Sequence, residues 1–175
     1  MRALMRGLLG FGLAAISAFP AHADVTAKDI QVMARALGFA EKAPSGEIRL
    51  GIVYAPENAA SVAQAEAVQK LLGDGLKAGN LVLKPLLVKI DEATSADVAA
   101  FLLIEGMGAG GAKLAAVTKA KQKPCLTIDI PQVQNGSCAM GIKSEPKVEI
   151  LVNRAAADAS GVTFGASFRM MITEL

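Results

Sequence analysis

The chain has 175 residues, with 18 basic against 16 acidic side chains, one histidine and two cysteines, for a formal net charge of +2. A charge that small leaves no electrostatic footprint for nucleic acid or for an anionic membrane surface. The length suits one domain behind a leader.

Arg2 and Arg6 are the only charges before Asp24, and Gly7 to Ala18 is an apolar run too short to span a bilayer. Pro20 follows, then Ala21-His22-Ala23, a small-x-small cleavage site. Residues 1–23 therefore read as a secretory signal peptide cut near Ala23, and residues 24–175 as a single domain delivered to the periplasm. No later stretch reaches about 18 uninterrupted apolar residues, so no direct membrane insertion is expected after cleavage. The leader takes Arg2, Arg6 and His22 with it, which brings the net charge from +2 to about zero. A chain without histidine runs no Ser-His-Asp or Cys-His mechanism and builds no His-ligated zinc site. The acids are scattered singly, apart from Asp91-Glu92, which suits a strand end or loop. The expectation is a non-enzymatic protein without metal or cofactor.

Thr26-Ala27-Lys28-Asp29 has the pattern of a helix start, with Thr26 as cap and Asp29 three residues on. Ile30, Met33, Ala34 and Leu37 continue at helical spacing, and Gly38 is placed to stop the helix. A polar connection, Glu41 to Gly46, leads to Ile48–Tyr54, rich in β-formers and predicted as the first core strand. From Glu57 to Lys77, the stripe Val62, Ala65, Val68, Leu72 and Leu76 predicts a helix, weakened in its last turn by Gly73 and Gly75. Leu81–Ile90 predicts a second strand, which Pro85 confines to an edge or a bulge. Ala100–Glu105 is a short continuous apolar run, as in a buried parallel strand. After a glycine loop, a helix is predicted from about Ala112 to Lys121, then a buried strand over Cys125–Ile128. Lys113, Lys119, Lys121 and Lys123 are read as a solvated face and helix C-terminal charges.

The segment Asp129–Ser137 reads as a loop with only Ile130 and Val133 to bury. Beyond it, Cys138, Met140 and Ile142 alternate with small residues, and Val148, Ile150 and Val152 alternate with Glu149 and Leu151. The turn Lys143–Pro146 between these runs predicts an antiparallel hairpin. Phe164, Phe168, Met171, Ile172 and Leu175 form an apolar helical stripe, suited to core or to a dimer seam. Strands alternating with helices predict an α/β fold. Its mixed, mainly parallel sheet of about five to six strands is flanked by helices and closes with an antiparallel hairpin and a C-terminal helix.

Two constellations are candidates for function. Gly106, Gly108, Gly110 and Gly111 match a G-x-G-x-x-G loop after a predicted strand, and Asp129 lies 18 residues beyond Gly111. Backbone N–H groups at a helix start suit a phosphate or another small anion. The loop follows the third predicted strand rather than the first, so a tight turn with room for a small ligand or anion fits better than a dinucleotide site. Cys125 and Cys138 are the other candidate. In an exported chain two cysteines pair as a rule, and the bridge would close a loop of roughly 14 residues, worth about 3 kcal/mol. A structural disulfide, a redox-switchable one and two free thiols remain open; the spacing is not that of a C-x-x-C oxidoreductase.

Several segments together resemble the YfiR-like family of small periplasmic proteins. Arg35 to Lys42 runs into Ile48-Arg49-Leu50-Gly51-Ile52-Val53, as that family's first helix runs into its I-x-I-G-V strand. Pro124-Cys125-Leu126-Thr127-Ile128 is similar to its P-x-L-T-V, and Gly136–Ile142 with Val148–Ala156 to its glycine-rich hairpin and F-x-I-N-x-x-A-A segment. Ser160-Gly161-Val162-Thr163-Phe164 resembles its closing A-G-(L/V)-x-(I/F). The family's W-P is replaced by Lys42-Ala43-Pro44, and of its cysteines only the late pair has a counterpart. The resemblance implies a mixed α/β domain, usually a homodimer, that binds and restrains the periplasmic part of a membrane-bound diguanylate cyclase in cyclic-di-GMP signalling, tuned by the redox state of its cysteines. The alternative from the strand order is a periplasmic small-molecule or anion-binding protein related to transporter-associated receptors.

Overall fold

The computed structural model describes residues 24–175; the predicted leader, residues 1–23, lies outside them. The first helix, α1 (Ala27–Leu37), begins as its sequence predicts. Thr26 Oγ1 accepts from the Asp29 N–H at 3.2 Å, and the Asp29 carboxylate accepts from the Thr26 N–H at 2.9 Å. Two of the helix's orphan donors are thereby satisfied within one turn. Its buried stripe is the predicted one, Ile30, Met33, Ala34 and Leu37, and Gly38 caps its end.

Strand β1 (Gly46–Tyr54) lies inside the sheet. Helix α2 (Ala59–Leu72) follows, capped by Asn58, and ends at Gly73 rather than near Lys77. The residues predicted to continue it form β2 (Leu76–Ala78), antiparallel to β3 (Leu81–Lys89). Gly73 and Gly75 take φ of 51° and 143°, so the chain can reverse there. β2 pairs only with Leu81 to Leu83, so Pro85 stands beyond it on a side of β3 where no N–H is required. A 3-10 turn, Ile90–Glu92, holds the predicted acidic pair, and β4 (Ala100–Leu103) is wholly buried.

Helix α3 (Gly110–Lys121), strand β5 (Cys125–Thr127), helix α4 (Ile130–Gln134) and strand β6 (Met140–Lys143) complete the parallel part. β7 (Glu149–Val152) returns antiparallel to β6, as the alternation predicts. Then come α5 (Arg154–Ala159), α6 (Ala166–Arg169) and β8 (Thr173–Glu174). The sheet order is β2-β3-β1-β4-β5-β6-β7-β8. Counting only the parallel core, β3-β1-β4-β5-β6, this is the doubly wound 2-1-3-4-5 order. The predicted α/β class with a mainly parallel sheet and a closing hairpin is what the chain adopts. Eight strands replace the expected five to six because β2 and β8 have three and two residues, too few to leave a period.

Two local expectations are corrected. The predicted loop after Asp129 contains α4, whose Val133 is fully buried. It can bury because β6 offers Gly141: a Cβ there would stand 2.7 Å from Val133 Cγ2 and 2.9 Å from Ile130 Cδ1. The predicted C-terminal helix is only the four residues of α6, after which β8 pairs parallel with β7. The stripe's aromatic half serves a cluster instead: Phe168 stacks on Phe39 at 4.8 Å and meets Phe164 at 4.9 Å. Met171 and Leu175 stay exposed. The lysines behave as read. Lys119 and Lys121 occupy the last turn of α3, Lys121 donates to the Thr94 carbonyl at 2.8 Å, and Lys113 pairs with Asp91.

Candidate functional site

In a doubly wound sheet, ligands sit outside the carboxyl ends of the strands where the order reverses. Here that place lies between the ends of β1 and β4. The β1 side supplies Ala55 to Asn58 and the first turn of α2; the β4 side supplies Ile104 to Ala109 and the start of α3. The predicted glycine loop is therefore at the switch point, with Gly106 and Gly108 in its turn and Gly110 and Gly111 in the first turn of α3.

The α2 side ties this loop down at three places. Asn58 Oδ1 caps α2 by accepting from the Ala60 N–H at 3.0 Å and the Ser61 N–H at 3.4 Å, while its Nδ2 donates to the Gly106 carbonyl at 3.0 Å. Gln64 Oε1 accepts from the Glu105 N–H at 2.8 Å. Ser61 Oγ accepts from the Ala55 N–H at 3.1 Å and lies 3.7 Å from Met107 Sδ. Met107 and Ser61 are both buried. Gly106 needs to be glycine twice over: its φ is +75°, and a Cβ would stand 2.9 Å from Asn58 Nδ2. The crevice is thus filled by the chain's own Asn58, Ser61 and Met107. None of the three stood out in the sequence; the only signal was Asn58 in capping position ahead of the α2 stripe.

Beyond the loop, α3 starts at Gly110, with Ala109 in the cap position offering no side-chain cap and with no acid in its first turn. Its first amides keep the anion preference of a helix N-terminus. The surroundings oppose an anion. Glu57 and Glu105 border the loop, and Asp91 and Glu92 follow β3, matched there by Lys113 and Lys89. The hydrogen bond and charge of Glu92 raise the pKa of Lys89 above the usual lysine value, so that side chain remains a cation. Asp129 heads α4 at the end of β5, beside β4. Two shallow hollows of about 280 and 290 Å³ flank the crevice and share Asp24. One runs along Ala60, Ala63 and Ala67 of α2 to Glu105 and Gly106 of the glycine loop; the other lies between the start of α1 and Ile142.

Cys125 and Cys138 form a disulfide, with Cα atoms 4.9 Å apart. Both are 1% exposed, so the bridge is shielded from solvent thiols. Cys125 opens β5 and Cys138 stands just before β6, so the bridge closes the whole β5-α4-β6 crossover at the starts of two adjacent parallel strands. The bridge and the glycine loop thus lie at opposite ends of the parallel strands. Among the described residues no three His, Cys, Asp or Glu side chains gather as a metal site, and no helix is long and apolar enough to cross a membrane.

No protein-family model and no curated protein matches the chain. Solved structures do. A conserved domain protein from Vibrio cholerae O1 biovar eltor has a TM-score of 0.56 at 14% identity, over 86% of this chain and 60% of its own. An ABC domain in complex with L-Trp from Streptococcus pneumonia has a TM-score of 0.56 at 12% identity, over 83% of this chain and 60% of its own. A ligand-free, open substrate-binding protein with adhesive properties from Clostridium difficile has a TM-score of 0.52 at 10% identity, over 86% and 60%. At these identities the likeness establishes a shared fold, and the chain spans only 60% of each of these structures.

Proposed function

We propose that this chain is a periplasmic, non-enzymatic regulatory binding protein of the YfiR-like kind, acting as a homodimer that restrains a membrane-bound diguanylate cyclase by contact with that enzyme's periplasmic part. One observation carries this reading. Where doubly wound sheets take small ligands, this chain has packed its own Asn58, Ser61 and Met107 beneath the glycine loop, which leaves a shallow hollow of about 280 Å³ against Glu105 and Gly106 and a mostly closed surface. The segments that carry the resemblance also occupy structurally demanding places. Asn153 caps α5 through Oδ1, accepting from the Ala156 N–H at 3.0 Å, and donates through Nδ2 to the Val133 carbonyl at 2.9 Å. Gly141 admits α4, and Pro124 to Thr127 leads into and forms β5. The test is co-purification from detergent-solubilised envelope, together with cyclic-di-GMP measured in cells lacking the protein. A diguanylate cyclase in the eluate and a raised nucleotide level are expected. An eluate without any membrane protein, with an unchanged level, overturns the reading.

A second reading is favoured by the structural neighbours, one of which is in complex with L-Trp and another of which is a substrate-binding protein. On that reading the chain binds a small molecule or anion at Gly106, Gly108, Gly110 and Gly111. Ligand at 100 times its dissociation constant then stabilises the fold by about 2.7 kcal/mol. A thermal-shift screen of anions, nucleotides and amino acids without any response rejects it.

A further inference from the structure

Among the described residues a further hollow lies at the other end of the sheet. It has a volume of about 350 Å³, within the range of small-ligand sites. Its walls come from three places that the fold brings together: Leu37, Ala40 and Pro44 from the end of α1 and the linker to β1, Ala100 and Pro124 from the starts of β4 and β5, and Val162 after α5. These walls are apolar, and no lining residue is acidic. Two cations border the hollow, Lys42 and Lys123, and among the described residues neither pairs with a carboxylate. The nearest acid along the chain, Glu41, accepts from the Thr163 hydroxyl at 2.9 Å and lines the neighbouring hollow instead of this one. The frame is held by Gln122, the one non-glycine residue with positive φ among the described residues (51°). Its Nε2 donates to the Lys119 and Ala159 carbonyls, both at 2.8 Å, and so ties the end of α3 to the end of α5 beside the hollow.

We infer that this hollow is a binding site for a small apolar monocarboxylate, an aromatic or branched aliphatic acid whose body enters between Leu37, Ala100 and Val162 and whose carboxylate meets Lys42 and Lys123. Apolar walls select the hydrocarbon part, and two unpartnered ammonium groups on flexible stems select a single anionic head. The site lies at the amino ends of β4 and β5, away from the glycine loop, so it stands or falls independently of the functional readings above. One of its walls is the α1–β1 linker, so a bound acid would hold the end of α1 to the sheet.

The experiment is an NMR titration of the ¹⁵N-labelled protein with 3-phenylpropionate and, separately, with its uncharged amide. Saturable shifts confined to residues 37–43, 99–100, 122–123 and 161–162 are expected, with the acid bound at least tenfold more tightly than the amide. Lys42→Gln with Lys123→Gln weakens the acid at least tenfold and leaves the amide unchanged. Ala99→Leu, which fills the hollow from its rim, abolishes both; the double lysine variant, altering one exposed and one half-buried side chain, keeps the test decisive if that protein folds poorly. Shifts elsewhere, equal binding of acid and amide, or an acid affinity indifferent to the lysines each overturn the proposal.

Discussion

Asn58 carries two duties with one side chain, and the duties can be separated. Its oxygen caps α2 and its nitrogen holds the Gly106 carbonyl. Asn58→Ala removes both and is expected to cost about 1–2 kcal/mol, the upper part of the range for a lost cap. Asn58→Asp keeps the cap, loses the donor and sets a carboxylate against a carbonyl, so it should fall between the two. Urea denaturation of the three proteins checks the order; an Asp variant as unstable as the Ala variant would show that the tether, not the cap, dominates. Gly106→Ala should also destabilise by about 1–2 kcal/mol, since it combines an unfavourable φ with a Cβ crowding Asn58 Nδ2. If either substitution is neutral, Asn58 does not pack against Gly106 and the crevice is open to a ligand.

Among the elements, the β5-α4-β6 crossover depends most on one covalent link. The disulfide closes a loop of roughly 14 residues, and Cys138→Ser is expected to lower stability by about 2–4 kcal/mol without abolishing the fold. α4 should survive the substitution in the native state, because Val133 and Ile130 pack on Gly141 whether or not the bridge is present. Denatured, non-reduced protein should take up no iodoacetamide, and native protein should resist mild reductant because both sulfurs are buried. Rapid reduction under native conditions would instead favour the redox-switchable reading. At the edge of the sheet, β8 is held in part by Arg169, whose guanidinium donates to Glu174 at 2.7 and 2.8 Å. That hydrogen bond lowers the Glu174 pKa below the ordinary 4.5. A depressed folded-state pKa means the contribution is present above the unfolded value and lost as pH falls through the folded one. The Arg169 Nε–H, which donates to Glu174 at 2.7 Å, should therefore shift in its NMR spectrum as pH drops below about 4.5, and Glu174→Gln should remove that dependence.

For the whole molecule, the question is which surfaces are left for partners. Met170 is 84% exposed and Met171 61%, next to the edge strand β8 and the half-exposed Phe39. Large exposed apolar side chains beside an open strand edge are a recurrent mark of interfaces. If the homodimer forms there, light scattering should give a dimer mass, and Met170→Glu with Met171→Glu should give a monomer with an unchanged far-UV spectrum. A monomer at the outset, or a dimer indifferent to both substitutions, removes this face from consideration.

The amino-acid sequence by itself determined the parts that rest on local rules. The Thr26–Asp29 cap, the α1 stripe, the buried run at β4 and the β6-β7 alternation are each written within about a dozen residues, where side-chain periodicity and capping chemistry act. The α/β class followed from their succession. What tertiary structure decided lies where partners come from far along the chain. Leu76–Ala78 is a strand because β3 offers an edge; alone it reads as the tail of a helix. Ile130–Gln134 is helical because Gly141 leaves room for Val133. The aromatic stripe near the C-terminus breaks after Arg169 because Phe168 is already committed to Phe39 and the chain beyond pairs with β7. The glycine loop was legible as a loop, but its closure by Asn58, 48 residues earlier, was not. Nor was the hollow between Lys42 and Lys123, since a cavity is made by the distances among separate segments and no single segment records it.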